Sequence, residues 1–282
     1  MKYIFVSLSK MESFGFRIGG PGLGNLLFPW ARSVVYEHIN KCNRISTTWN
    51  TFKIGTILRR EKDKRFYSNL FYEKNTISGF KKFYLLNFSN NVLIFKGMCN
   101  LFEPILQHQS IIKKKLISII QKENLIKLKS LHKNRIGVHI RLGDFTKEEN
   151  EEGLRKGHWN LKIPIKWYIN IINKIQQISK LPIYIFSDGQ DEELIEILKI
   201  YNCTRINLGE SISDMIALSE CKLIISSGST FSMWASFIGQ NPTIWFPGQM
   251  RQSIMLNKSI YEGELDYSDL VPKKLIENLK NV

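Results

Sequence analysis

From residue 135 onward the chain repeats one unit. A short run of β-branched and apolar residues is followed by a turn rich in Gly, Asp or Ser, then by a stretch with helical apolar spacing. The spacing predicts a strand over 135–142, a charged loop through Trp159, and a helix from Pro164 to about Ser179. A strand at Ile183 to Phe186, a helix at Glu192 to Ile200 and a strand at Arg205 to Leu208 come next. Then follow a helix at Ser213 to Ser219, a strand at Lys222 to Ser226, a helix at Phe231 to Ile238 and a strand at Thr243 to Phe246. This βαβ rhythm specifies an α/β chain with a doubly wound parallel sheet. Right-handed crossovers put the carboxyl ends of such strands on one rim, where ligands of open α/β sheets bind.

The first of these strands carries chemistry. In RIGVHIRLGDF, residues 135–145, alternation sets Val138, Ile140 and Leu142 on one face and Gly137, His139, Arg141 and Gly143 on the other. A single strand Arg is usually a solvated surface residue, and a lone His is more often structural than a ligand. Here both stand at the carboxyl end of a strand, before a Gly143-Asp144 turn in which the glycine allows another group close to the backbone. The strand therefore presents a cation to a crevice.

Two more loops reach the same rim. Ser226-Ser227-Gly228-Ser229-Thr230 runs into a helix start, where backbone N–H groups, the helix dipole and hydroxyl donors form a site for an anion such as phosphate. The plainer account is N-capping by Ser229 or Thr230, and four hydroxyls and a glycine exceed what a cap needs. In FSDGQDE, 186–192, Asp188 has two readings, a contact to a ribose or base and an ordinary turn and cap. A metal site there lacks a second well-spaced carboxylate.

Near the N-terminus, Gly19, Gly20, Gly22 and Gly24 form a glycine loop ahead of a helical pattern at Leu26, Leu27, Trp30, Val34 and His38, with Pro29 tolerable only near the helix start. The loop does not match GxxxxGK[ST] and only loosely matches GxGxxG, so it reads as a structural turn close to a sugar ligand. Residues 40–130 are less patterned. Arg59 to Arg65 reads as a solvated charged segment, and the stretch from Ile111 to Arg135 as a long amphipathic helix leading into the second half.

Charge divides the chain unevenly. The net +15 resolves into 23 Lys and Arg against 7 Asp and Glu in residues 1–133, a balance of +16, and into −1 for 134–282. A basic excess suits nucleic acid, an anionic membrane surface, an anionic substrate, or simply a Lys-rich surface. No zinc-finger spacing, RNP signature or basic recognition helix accompanies it, so nucleic acid is not expected. Between residues 66 and 96, Phe66, Tyr67, Phe71, Tyr72, Phe80, Phe83, Tyr84, Phe88 and Phe95 interleave with Lys74, Lys81, Lys82 and Lys96, a mixture that suits a bilayer interface or a core. No apolar run approaches the ~20 residues of a membrane span. MKYIFVSLSK has no small-residue cleavage site and reads as a first strand, so a cytoplasmic chain is expected. Cys42, Cys99, Cys203 and Cys221 are scattered and read as reduced packing residues, with neither a disulfide framework nor a metal set.

HIRLGDF at 139–145 resembles the HxRxGD motif of the α-1,2-fucosyltransferases, glycosyltransferase family 11. SDMIALSECKLIISSGSTFSMWASFIGQNP, 213–242, resembles that family's Asp-Met, Cys and Ser-Thr-Phe-Ser-x-Trp block, and GGPGLGNLLFPWA resembles its N-terminal Gly-Gly-Leu-Gly-Asn-Gln-x-Phe loop. Departures fall at Pro21, Leu26, Gly189, Gly228 and Met233, and none removes Arg141 or the Ser229-Thr230 pair. The resemblance implies a B-type glycosyltransferase fold of two Rossmann-like halves facing a cleft. Residues 1–133 would form the acceptor-side half, with Gly22, Gly24 and Asn25 near the cleft, and residues 134–282 the half that holds the nucleotide sugar. It implies inverting transfer of L-fucose from GDP-fucose to a galactoside hydroxyl in α-1,2 linkage, with neither metal nor cofactor. Arg141 would bind the β-phosphate, His139 and Asp214 the guanine and ribose end, and Ser229 and Thr230 the pyrophosphate, while Asp144 is the candidate base. The acceptor would be a glycan, free or lipid-linked, of an O-antigen, capsule or other surface polysaccharide, reached at the inner membrane face. Another nucleotide sugar on the same fold, or binding without turnover, are the alternatives.

Overall fold

The computed structural model describes residues 2–9, 12–13, 16–52, 67, 69–148 and 150–280. The charged segment Arg59 to Arg65 and Phe66 lie outside the described residues. The chain forms two compact units, Met1–Ile126 and Lys127–Val282.

In the first unit, β1 (Tyr3–Val6) is the middle strand of a parallel sheet, between β4 (Asn43–Arg44) and β6 (Val92–Phe95). A second small sheet joins β2 (Glu12–Ser13), β3 (Phe16–Ile18) and β5 (Thr51–Phe52). The glycine loop ends at Gly22, the N-cap of α1 (Leu23–Asn40), whose Leu23, Leu26, Leu27, Trp30 and Val34 are buried. Pro29 lies in the second turn, deeper than its expected place, and the helix continues past it to Asn40. α2 (Gly79–Phe88) packs Leu85 onto Phe5 and Ile45 of the parallel sheet.

The long helix expected from Ile111 is instead three pieces: α3 (Gln109–Ile119), α4 (Lys122–Ile126) and a 3₁₀ turn at Lys127–Ser130. The break is a tertiary effect. Buried Ile120 is extended and bridges Phe71, while Tyr72 N–H donates to Ile119 O at 2.6 Å and Gln121 N–H to Leu70 O at 3.1 Å. Pairing with a distant segment replaces the helical hydrogen bonds, and amphipathic spacing alone carries no information about it.

The aromatic stretch divides between core and surface. Tyr67 and Phe71 are core, whereas Tyr72, Phe80, Tyr84 and Phe88 are exposed. The cysteines also divide: all four are free thiols and Cys221 is buried, but Cys99 is exposed and fills no core position.

The second unit is built on β7 (Ile136–Ile140), β8 (Ile183–Ser187), β9 (Cys203–Ile206), β10 (Leu223–Ile225), β11 (Thr243–Trp245) and β12 (Glu262–Glu264). They form one sheet in the order β12-β11-β10-β7-β8-β9, and every neighbouring pair is parallel. The helices are α5 (Glu152–Arg155), α6 (Ile165–Gln176), α7 (Asp191–Leu198), α8 (Ser211–Ser219), α9 (Thr230–Gly239) and α10 (Lys273–Lys280). The alternation read from β7 holds: Ile136, Val138, Ile140 and Leu142 share one cluster with Trp167, Ile171 and Ile175 of α6 and Leu194 and Ile197 of α7. Complete burial of such a side chain is worth about 1.5–3 kcal/mol, so this register is strongly specified. β12 and α10 were not expected, because Glu262-Gly263-Glu264 has no strand propensity and pairs only because the edge of β11 is there to receive it. Among the described residues, no helix is long and apolar enough to cross a membrane.

Candidate active site

From β7 the chain winds outward through β8 and β9, then crosses back to β10 and winds the other way through β11 and β12. The direction reverses between β7 and β10, and a parallel sheet leaves a crevice at such a reversal, beyond the carboxyl ends of the two strands. β7 ends at Ile140, just before Arg141, and β10 ends at Ile225, just before the serine loop.

Arg141 is held between two carboxylates. Its Nη2 donates to Asp144 Oδ1 at 2.5 Å and its Nη1 meets Asp188 Oδ2 at 2.7 Å, with Cζ 5.6 Å from the centre of the Phe145 ring. Asp188 is the fixed member of the pair, because its other oxygen accepts the Leu142 N–H at 2.8 Å. Gly143 explains how it fits: a Cβ there would stand 2.5 Å from Asp188 Oδ2. Asp144 is the looser partner, 38% exposed against 22% for both Arg141 and Asp188. The fork of Arg141 is thus aimed from both sides, and one of its two anionic partners faces water.

Of the readings of Asp188, the turn holds, since Asp188 and Gly189 form the bend after β8, and the cap does not. The N-cap of α7 is Gln190, which forms a reciprocal capping box with Glu193. Asp188 serves Arg141 instead, a role with no local signal because its partner is 47 positions away in the chain.

His139 is buried, with Nδ1 sharing a 2.8 Å hydrogen bond with Ser227 Oγ and its ring stacked on Phe231 at 4.8 Å and 21°. Burial pushes its pKa down to about 3, against a smaller upward pull from Asp188, so the imidazole is neutral at physiological pH. Phe231, expected only as a helix start, is therefore also part of the wall behind the crevice.

The serine loop differs from expectation in what its hydroxyls do. Ser229 is the N-cap of α9 but makes no side-chain cap bond. Its Oγ instead accepts from Ser227 Oγ at 3.1 Å, while Ser226 Oγ donates to Ser232 Oγ at 2.8 Å and accepts the Gly228 N–H at 3.1 Å. The surplus hydroxyls thus form a buried network that fixes the turn and ties it to His139. Gly228 has φ +72, in the region where Gly and Asn are at ease, and packs against buried Gln249. Thr230, half-buried, opens the ten-residue α9, whose N-terminus carries the positive end of its dipole.

The structure therefore brings Arg141, Asp144, His139 and Ser229 to one crevice, with Thr230 next to Ser229. Asp214 stands further along the rim, in the first turn of α8, where its Oδ1 accepts the Leu208 N–H at 3.0 Å. Gly22, Gly24 and Asn25 belong to the first unit, at the start of α1. Among the described residues, no group of three or more His, Cys, Asp or Glu is gathered to hold a metal ion. What the crevice offers is a cation, a helix N-terminus and an exchangeable carboxylate, a set suited to a diphosphate and to charge that grows on it.

No curated protein matches the chain. Among solved structures, NodZ alpha-1,6-fucosyltransferase soaked with GDP-fucose aligns with a TM-score of 0.51 and 12% identity, over 87% of this chain and 94% of that one. POFUT1 in complex with GDP aligns with a TM-score of 0.48 and 11% identity, over 86% of this chain and 98% of that one. NodZ from Bradyrhizobium aligns in another crystal structure with a TM-score of 0.48 and 12% identity, over 87% of this chain and 94% of that one. The first of these likenesses shows a shared α/β fold with parallel sheets, as expected of a B-type glycosyltransferase. The family model of Glycosyl transferase family 11 matches residues 101–262, more than half of the chain, and takes in the strand that ends before Arg141, the Asp188 turn and the serine loop; this chain belongs to glycosyl transferase family 11.

Proposed function

We propose that this glycosyltransferase moves L-fucose from GDP-fucose to a hydroxyl of a galactoside, with inversion and in α-1,2 linkage. The observation that carries the reading is Arg141, held by Asp188 at the sheet's reversal point and facing Asp144. The donor's β-phosphate oxygens take the place of Asp144 on Nη2, and α9's N-terminus with Thr230 receives the rest of the diphosphate. Ser229 and neutral His139 hold that turn in place, with His139 and Asp214 on the side of the nucleoside. As the acceptor oxygen bonds to the fucose anomeric carbon, the bond to the β-phosphate oxygen breaks and its electron pair stays on GDP. Arg141 stabilises that charge. The released Asp144 carboxylate accepts the proton of the attacking hydroxyl.

Charge met by Arg141 and a helix N-terminus leaves no step that calls for a metal. The donor half is the second unit, and the first, which carries Gly22, Gly24 and Asn25, takes the acceptor. The +16 balance of residues 1–133 supports an acceptor carried at an anionic inner membrane face, a lipid-linked precursor of an O-antigen, capsule or other surface glycan.

The test is release of GDP from GDP-fucose by the purified chain with pooled galactosides, with and without EDTA, beside Arg141→Ala. Release that EDTA leaves intact and Arg141→Ala abolishes is expected, with an α-1,2 product by linkage analysis. Failure to bind GDP overturns the donor site. Turnover only with another nucleotide sugar replaces the donor, and GDP bound without turnover on any acceptor leaves a binding module.

A further inference from the structure

α2 is apolar on two faces, and among the described residues only one of them is packed against the protein. Its inner face is anchored: Leu85 packs on Phe5 and Ile45, and Lys82 runs over the Phe5 ring at 5.1 Å to donate to Ser46 O at 2.7 Å and Thr48 Oγ1 at 2.8 Å. Its outer face presents Phe80, Tyr84 and Phe88, one helical row at i, i+4 and i+8, exposed by 82%, 54% and 68%. These rings are in contact with one another or through a neighbour: Tyr84 lies 5.8 Å from Phe88, and Phe83 lies 6.3 Å from Phe80 and 6.2 Å from Phe88. On β6, Ile94 shares the α2 side of the strand with Val92 and is 52% exposed, which extends the apolar surface past the helix. A contiguous exposed patch of this kind marks a surface that something covers.

The charge around the patch names the occupant. From Lys74 to Phe102 the chain contains four lysines and no Asp or Glu. Lys81 sits on α2 beside the row, and Lys74 and Lys96 flank it in the chain; all three are exposed. A second copy of the chain docked on the same face would set lysine against lysine. Aromatic rings for the headgroup boundary, with lysines for acidic lipids and no acid within the same stretch of chain, suit an interfacial helix. We propose that the outer face of α2 is a docking surface for an anionic lipid bilayer, with Phe80, Tyr84 and Phe88 as its anchors and Lys81 as its electrostatic contact. This locates on the molecule the membrane site of the proposed function, and it rests on that reading only for the acceptor's being lipid-linked.

The test is co-sedimentation of the full chain with phosphatidylcholine vesicles with and without phosphatidylglycerol, beside turnover of a soluble galactoside. Wild-type protein is expected to pellet with the phosphatidylglycerol vesicles and to be released by high salt. Joint Phe80→Ser, Tyr84→Ser and Phe88→Ser should weaken binding at least about tenfold, and Lys81→Glu alone by about tenfold, from the loss of apolar insertion and of lysine attraction. Soluble turnover should not change in either variant. Equal pelleting of the wild type and both variants overturns the docking surface, as does wild-type protein that ignores anionic vesicles or a row whose removal only dissolves a dimer. Anionic-vesicle binding lost in both variants, with no fucose transfer by any of the three proteins, supports the surface and sinks the transfer reading instead.

Discussion

Arg141 and Arg17 both lead from a strand into a glycine-bearing turn, one in each unit, and their surroundings are opposite. Arg141 is partly exposed, is aimed by two carboxylates, and has one partner that water already reaches. Arg17, in β3, is fully buried: Nη1 donates to Gly19 O at 2.6 Å, Cζ lies 5.8 Å from the Tyr67 ring, and no described residue accepts from Nε or Nη2. Burial lowers its pKa, a direction that the nearby Tyr67 and Glu12 only partly oppose. Its Nη1 also occupies the space a Cβ on Gly20 would need, at 2.5 Å, where φ is +105. An arginine is ready for an anionic ligand when its present partners are exchangeable, and the described acceptor of Arg17, the Gly19 carbonyl, is a backbone group of its own turn.

The sharpest test of that contrast is Arg141→Ala, expected to lower fucose transfer by roughly 10²–10³-fold, the usual loss for a donor to developing charge. Arg141→Lys should recover little, since an ammonium cannot reproduce the fork; full recovery would show that a point charge suffices. Next in size is Asp188→Asn, which removes the ion pair that aims Arg141. A loss of about tenfold in kcat/KM is expected, at the lower end for a hydrogen bond to a charged group, with GDP affinity the companion readout. An unchanged variant would mean that Asp144 alone orients Arg141.

His139 supplies the third. Its folded pKa lies below its unfolded one, so folding excludes a proton and stability falls as pH drops below the unfolded value toward about 3. From pH 7.5 to 5 the wild type should lose about 2 kcal/mol more than His139→Asn in urea unfolding, by linkage from those two pKa values; parallel curves would place the imidazole in water. The smallest effect is expected at Arg17→Met. Exchange of a buried cation poorly paired among the described residues for an apolar side chain of similar length should leave stability within about 1 kcal/mol or raise it, and leave transfer unchanged. A large loss in either would give Arg17 a partner or a ligand and erase the contrast with Arg141.

Much of the second unit was legible because its signals are local. The strands β7, β8, β10 and β11 are short, mostly apolar runs and each helix from α6 to α9 has its own apolar spacing, so their existence follows from residues a few positions apart. Arg141 was legible for the same reason, since the Gly143-Asp144 turn lies within three residues of it. The first unit was less so. Ile120 leaves the helix because Phe71 is there to pair with, and the exposed faces of Phe80, Tyr84 and Phe88 look no different in sequence from the buried faces of Tyr67 and Phe71.

The sequence by itself determined the βαβ order of the second unit, the face each residue of β7 shows, and the placing of a cation and a helix start at strand ends. Only the tertiary structure decided which strands are neighbours, and from that came the site's particular chemistry. With β7 between β8 and β10, Asp188 reaches Arg141 and Ser227 reaches His139, across 47 and 88 positions of chain. The physical reason is range. Side-chain periodicity and turn chemistry act over one or two turns of chain, whereas an ion pair or a buried hydrogen bond depends on which segments the sheet brings side by side.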